Sequence, residues 1–219
     1  MPDYRLRLLI DPGVLPAIRA AGQRITLART VNSIRLPSVI WLSLDPLEST
    51  EVQWTGQYGI YASTTDIQHG APITKLSETG MPAQDGASYA LTSAATFNGP
   101  LSGFRIARGC YAARNDIPFT SHRALTFGLT QSALVNRTPA ERKPVSAMRV
   151  LSGRMADMMP FGKIYVWLQT TFSSGTIITE TPDTTSVADF GGKITGLTLK
   201  YNTYLGMFLP QEGLTGAQD

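Results

Sequence analysis

The sequence predicts a mainly β protein: an antiparallel β-sandwich with one short N-terminal helix, its residues 1–219 forming a single domain. Three observations predict it. Apolar residues fall in short runs, many alternating with polar ones, the period of a strand with one buried face. Gly, Pro, Asn and Asp punctuate the gaps, the chain holding 20 Gly and 14 Pro. Only one stretch carries a helical period.

The elements follow in order. Tyr4, Leu6, Leu8 and Ile10 alternate with Arg5 and Arg7, which makes a half-buried strand. Asp11 followed by Pro12 predicts a helix start, a capping carboxylate ahead of proline at the first helical position. Val14, Leu15 and Ile18 then share a face, and Gly22 supplies a left-handed stop. Strand character resumes over 24–31, where Ile25 and Leu27 alternate with Arg24 and Thr26. Further β-like runs cover 38–44, 51–63, 88–97, 104–114, 124–135, 145–151, 163–172, 176–180 and 193–209. The polar interval 75–86 and the charged interval 139–144 are expected to be loops, and no internal repeat stands out. The polar tail 211–219 is expected to be ordered only where contacts tie it down.

Composition bounds the function. Hydrophobic residues make up 42% of the chain, enough for a core, and charged residues only 16%, which excludes a disordered polyelectrolyte and a coiled coil. The net charge of +3 lacks the dense basic footprint of a nucleic-acid protein, so no nucleic-acid partner is expected. Arg105, Arg108 and Arg114 near Tyr111 do not alter this, because Arg105 and Arg108 have opposite strand parity. No apolar run approaches the ~18 residues that a transmembrane helix needs. The single cysteine, Cys110, rules out an intrachain disulfide and a cysteine-based zinc cluster, and reads as a small buried hydrophobe. The first residues lack a basic-then-apolar leader, so cytoplasmic synthesis without a Sec-type signal is expected, with a non-classical release route open.

Catalytic groups are scarce. His69 sits in a turn composition and His122 follows Ser121 just before a strand, and neither has metal-ligand spacing. The patterns G-x-S-x-G, S-x-x-K and the P-loop are absent. A hydrolase using His69 or His122 is therefore the weaker alternative; no enzymatic activity, metal or cofactor is expected.

Aromatic residues carry more information. In the run 163–172, Ile164, Val166, Leu168 and Phe172 fall on a core face, and Tyr165, Trp167, Gln169 and Thr171 on the other. The Tyr165–Trp167 face is either covered by a loop or the early helix, the favoured reading, or exposed as a platform for a sugar ring, a lipid headgroup or a partner. Trp54, Tyr58 and Tyr61 form a second group beside Gly56 and Gly59, suited to a tight sandwich corner or to cradling a ligand. The turn 173–175 and the run 176–180 predict a returning hairpin strand. Its alternation leaves a β-hairpin pore-forming, toxin-like protein as an alternative, although Pro182 interrupts the return. Four of the seven methionines lie from Met148 to Met159, as core filler or an adaptable contact patch.

These features predict a non-enzymatic β-sandwich that binds a surface or partner (glycan, lipid or protein) through Trp54, Tyr58, Tyr61, Tyr165 and Trp167 and self-associates as a homo-oligomer. A structural subunit of a homo-oligomeric assembly is the remaining alternative. Expected partners are other copies of the chain and a glycan or membrane surface, without a transmembrane helix.

Overall fold

Leu6 and Leu8 are fully buried while Arg5 and Arg7 are exposed, so the first strand forms as its alternation predicts. The computed structural model describes residues 3–32 and 36–211; of the polar tail 211–219, residues 212–219 lie outside them. In chain order the described elements begin with β1 (Asp3–Leu9), α1 (Leu15–Ala20), β2 (Arg24–Val31), β3 (Ile40–Leu44), β4 (Ser49–Thr55) and β5 (Gly59–Ser63). There follow β6 (Lys75–Glu78), β7 (Ser88–Leu91), β8 (Phe97–Leu101), β9 (Tyr111–Asn115), β10 (Ala124–Val135) and β11 (Thr138–Pro144). The last are β12 (Met148–Leu151), β13 (Met155–Met158), β14 (Pro160–Gln169), β15 (Ser186–Asp189), β16 (Gly196–Asn202) and β17 (Met207–Pro210). The protein is thus mostly β, with one short helix among the described residues. Among the described residues no helix is long and apolar enough to cross a membrane.

The strands form three sheets. The largest runs β17–β16–β1–β4–β10–β5–β6, with β11 and β12 also paired to β10. The others run β13–β9–β7–β8 and β15–β14–β2–β3. β10 organises the first sheet: its Leu125, Phe127, Leu129, Gln131 and Ala133, alternate residues of a 12-residue strand, are all buried. One edge of β10 pairs with β5 and then β4, the other with β12 and then β11. Pairing is mainly antiparallel, as predicted, but β1–β16 and β7–β9 are parallel. Both parallel pairs join strands separated by long excursions of chain, which parallel neighbours require.

One hydrophobic cluster draws on all three sheets and on Leu15 and Ile18 of α1. Each buried Leu or Ile there contributes roughly 1.5–3 kcal/mol through burial. The β15–β14–β2–β3 sheet is covered on both faces. Ile25, Leu27, Ile164 and Val166 face the main cluster, and Ala28, Ile40, Tyr165, Trp167 and Ile178 form a second one. Two glycines are fixed by close approach. A Cβ on Gly128 would stand 1.9 Å from the Ser146 carbonyl oxygen, and one on Gly162 1.7 Å from that of Phe190.

Several predicted boundaries are corrected. α1 starts at Leu15 with Val14 as its N-cap and no side-chain cap; Asp11 instead contributes its backbone carbonyl, which accepts the N–H groups of Val14 and Leu15. Gly22 does take the left-handed conformation, at φ 67°. The run 51–63 splits into β4 and β5 and 193–209 into β16 and β17, while 88–97 holds β7 and only the first residue of β8, which runs on through Asn98, Gly99 and Pro100. Of 104–114 only its end is strand, as β9. The charged interval 139–144 is not a loop but most of β11, and Lys75–Glu78 within 75–86 is β6.

The returning hairpin strand does not form. β14 is paired on both edges, to β2 and β15, while Thr176 and Ile177 bridge to Pro72 and Val39. Residues 175–178 thread between 38–40 and 70–73, with Ile40 N–H donating to Thr176 and Gly70 N–H donating to Ile177.

Candidate functional site

All five aromatic residues expected to contact a ligand are buried. Tyr165 and Trp167 are covered by the 175–178 segment, through Ile178, and by Phe172: a loop, one of the two covers expected. Tyr61 is fully enclosed on the opposite face of β5 from Ile60, its hydroxyl donating to the Ser146 carbonyl at 2.7 Å. Burial without a counter-charge pushes the Tyr61 phenol well above its ordinary 10.0. Trp54 and Tyr58 belong to the main cluster. Period-2 alternation identified which aromatics share a face; it does not say which faces another layer covers.

The accessible feature lies across the solvent face of the large sheet. Register places Gly196 of β16 opposite Arg5 of β1, Arg5 opposite Gln53 of β4, Gln53 opposite Leu134 of β10 and Leu134 opposite Pro139 of β11. This transverse row crosses a groove of about 920 Å³, which Tyr4, Gln57, Glu141 and Arg142 also line. Leu134 is 42% exposed, so an apolar patch lies among hydrogen-bonding side chains. Gln53 is oriented by donating to Glu51 at 2.7 Å, and Arg5 Nε stands 3.6 Å from the other Glu51 carboxylate oxygen. A register irregularity between Gln131 and Ala133 leaves Ser132 Oγ to accept the Arg142 N–H at 3.0 Å, which shapes the groove's β11 wall.

Behind the groove stands a caged cation that alternation could have revealed. Arg29 shares strand parity with Ile25 and Leu27, so β2 turns it inward, where it is only 4% exposed. Its guanidinium lies 5.5 Å from the Trp41 ring, 5.5 Å from Trp54 and 5.7 Å from Tyr58. Nη1 donates to Gln131 Oε1, the polar member of the inward row of β10, at 2.5 Å. Nη2 donates at 3.3 Å to the carbonyl of Phe161, exposed by the irregularity of β14 between Pro160 and Ile164. Among the described residues no ion pair includes Arg29. Trp54 joins cage to groove: its ring stacks on Tyr4 at 5.6 Å and meets Phe190 edge-on at 4.9 Å.

The histidines stand apart from both features. His69 Nδ1 accepts the Thr179 N–H at 3.2 Å and its ring meets Phe172 edge-on, so it pins the segment covering Trp167. His122 is exposed at the end of a turn, its N–H donating to Pro118. Among the described residues no cluster of His, Cys, Asp or Glu is placed to hold a metal ion. Cys110 is half-buried with a free thiol. Of the methionine segment, Met158 is core and Met159 is 41% exposed.

Fold and surface therefore define a mostly β protein with a broad polar groove and a buried arginine behind it. Comparison with protein-family models, with curated proteins and with solved structures finds no match for the chain.

Proposed function

We propose that the protein is a non-enzymatic binding module whose groove takes a neutral polar ligand, best matched by a glycan. The transverse row Gly196–Arg5–Gln53–Leu134–Pro139 carries this reading. A sugar presents hydroxyls around apolar C–H faces, and the row offers an exposed Leu flanked by amide and guanidinium donors and by carboxylate acceptors. The groove's size suits an oligosaccharide segment. Because Trp54, Tyr58, Tyr61, Tyr165 and Trp167 are buried, the contact surface in this reading is the polar row around Leu134. Screening the chain on a glycan array, followed by calorimetry with the best binder, tests the reading. Micromolar-to-millimolar binding weakened by Gln53→Ala supports it, and a blank array overturns it.

Self-association is a second reading, favoured by Tyr204 and Leu205 in the β16–β17 turn, which are 94% and 49% exposed. Light scattering at rising concentration checks it; a monomer throughout removes it.

A further inference from the structure

The cavity beside Arg29 is separate from the glycan reading. It measures about 230 Å³ and is lined by Arg29, Trp54, Tyr58, Tyr111, Phe161 and Asp85, among others. A liquid water occupies about 30 Å³, so there is room for a group of several heavy atoms.

We propose that this cavity binds a small oxyanion, a carboxylate or phosphate group, on the Arg29 guanidinium. A guanidinium carries five N–H donors in one plane, and Arg29 directs only two, to Gln131 and Phe161. Its Nε is buried and unpartnered, as is the indole Nε1 of Trp54 on the same cavity wall. Three ring faces offset part of the cost of burying the charge, but faces attract the cation without accepting its in-plane N–H groups. The in-plane edge is where a guanidinium takes a planar oxyanion in a fork. Burial keeps the Tyr111 phenol protonated well into the alkaline range, so it remains a donor. Asp85, the one carboxylate of the lining, is exposed, accepts the Gly109 N–H at 2.5 Å and makes no ion pair with Arg29. A buried cation with unpartnered donors, a wall of further donors and no ion-pair partner among the described residues is matched by an anion from solution.

The test titrates the full chain separately with inorganic phosphate and with acetate, against chloride at matched ionic strength. Tryptophan emission reads the site directly, since Trp41 and Trp54 flank the guanidinium, and the melting temperature reads linkage. The expected result is a saturable emission change at millimolar concentration or below with a raised melting temperature, the stronger arm identifying the oxyanion. Arg29→Lys, which keeps the charge but loses the fork, is expected to weaken binding at least tenfold. Should that variant fail to fold, Gly56→Leu decides. A Cβ there meets no heavy atom within 4 Å, and the added bulk on the cavity wall is expected to abolish the response in a folded protein. A wild-type chain that responds to neither anion beyond chloride overturns the proposal, as does an undiminished response in folded Arg29→Lys or Gly56→Leu.

Discussion

Arg29 of β2 and Gln131 of β10 meet between two sheets, the guanidinium Nη1 donating to the amide Oε1 at 2.5 Å. Gln131 also donates through Nε2 to the Thr55 carbonyl at 2.7 Å, so one side chain ties β2 to the end of β4. Arg29→Met should therefore destabilise the fold by roughly 1–3 kcal/mol, because the buried Gln131 oxygen and the part-buried Phe161 carbonyl lose their donor. Gln131→Leu should cost less in the Arg29→Met background than in the wild type, by about 1 kcal/mol. Urea denaturation of the four proteins measures this coupling; additive losses would remove the tie.

Gly128 and Gly196 should respond in opposite ways to the same methyl group. Gly128→Ala drives a Cβ into the Ser146 carbonyl, and a loss of about 3 kcal/mol or more is expected. At Gly196 nothing lies within 4 Å, and Gly196→Ala should change stability by less than about 0.5 kcal/mol. Thermal melts of both variants check the contrast.

How much of this was legible in the sequence depends on which interactions decide each element. β10 matches the predicted run 124–135 because its alternation is set by its own side chains. β11 was hidden: Glu141, Arg142 and Lys143 read as a charged loop. Their pairing with β10 is a local hairpin, Val135 opposite Thr138, that the run of charges masked; only the contact of Arg142 with Glu78, at 3.1 Å, is distant in sequence. The cover on Tyr165 and Trp167 was hidden because the segment that supplies it is held by contacts far along the chain, at 38–40 and 70–73, whereas Trp54 and Tyr58 line the cavity beside Arg29. Arg29 was legible from parity alone, as a cation on the face of Ile25 and Leu27. The groove was not, because its row takes residues from five strands.

Tyr61 should set part of the alkaline limit of stability. Its folded phenol titrates above the unfolded one, so its contribution is complete below about pH 10 and declines as the unfolded chain alone loses the proton. Stability should fall above pH 10. Tyr61→Phe should reduce that slope by up to about 1.4 kcal/mol per pH unit, while lowering stability at neutral pH by roughly 1–2 kcal/mol through loss of the Ser146 hydrogen bond. Denaturation at stepped pH measures both; an unchanged alkaline slope would contradict the assignment.

His69→Ala should loosen the cover over Tyr165 and Trp167. The Thr179 N–H loses its acceptor and Phe172 its edge contact, at a cost of about 1 kcal/mol. Hydrogen exchange should quicken at Thr179 and its neighbours while β10 stays protected. Uniformly unchanged exchange would show that His69 does not pin this segment.

The central claim, that the row from Gly196 to Pro139 receives a glycan, is tested most directly by placing bulk where the fold has room for it. Gly196→Trp introduces a side chain at the groove wall without backbone strain. Calorimetry with the array's best glycan should show binding by the wild type and at least a tenfold loss in Gly196→Trp, about 1.4 kcal/mol, at an unchanged melting temperature. Equal affinity in the folded variant would contradict the account.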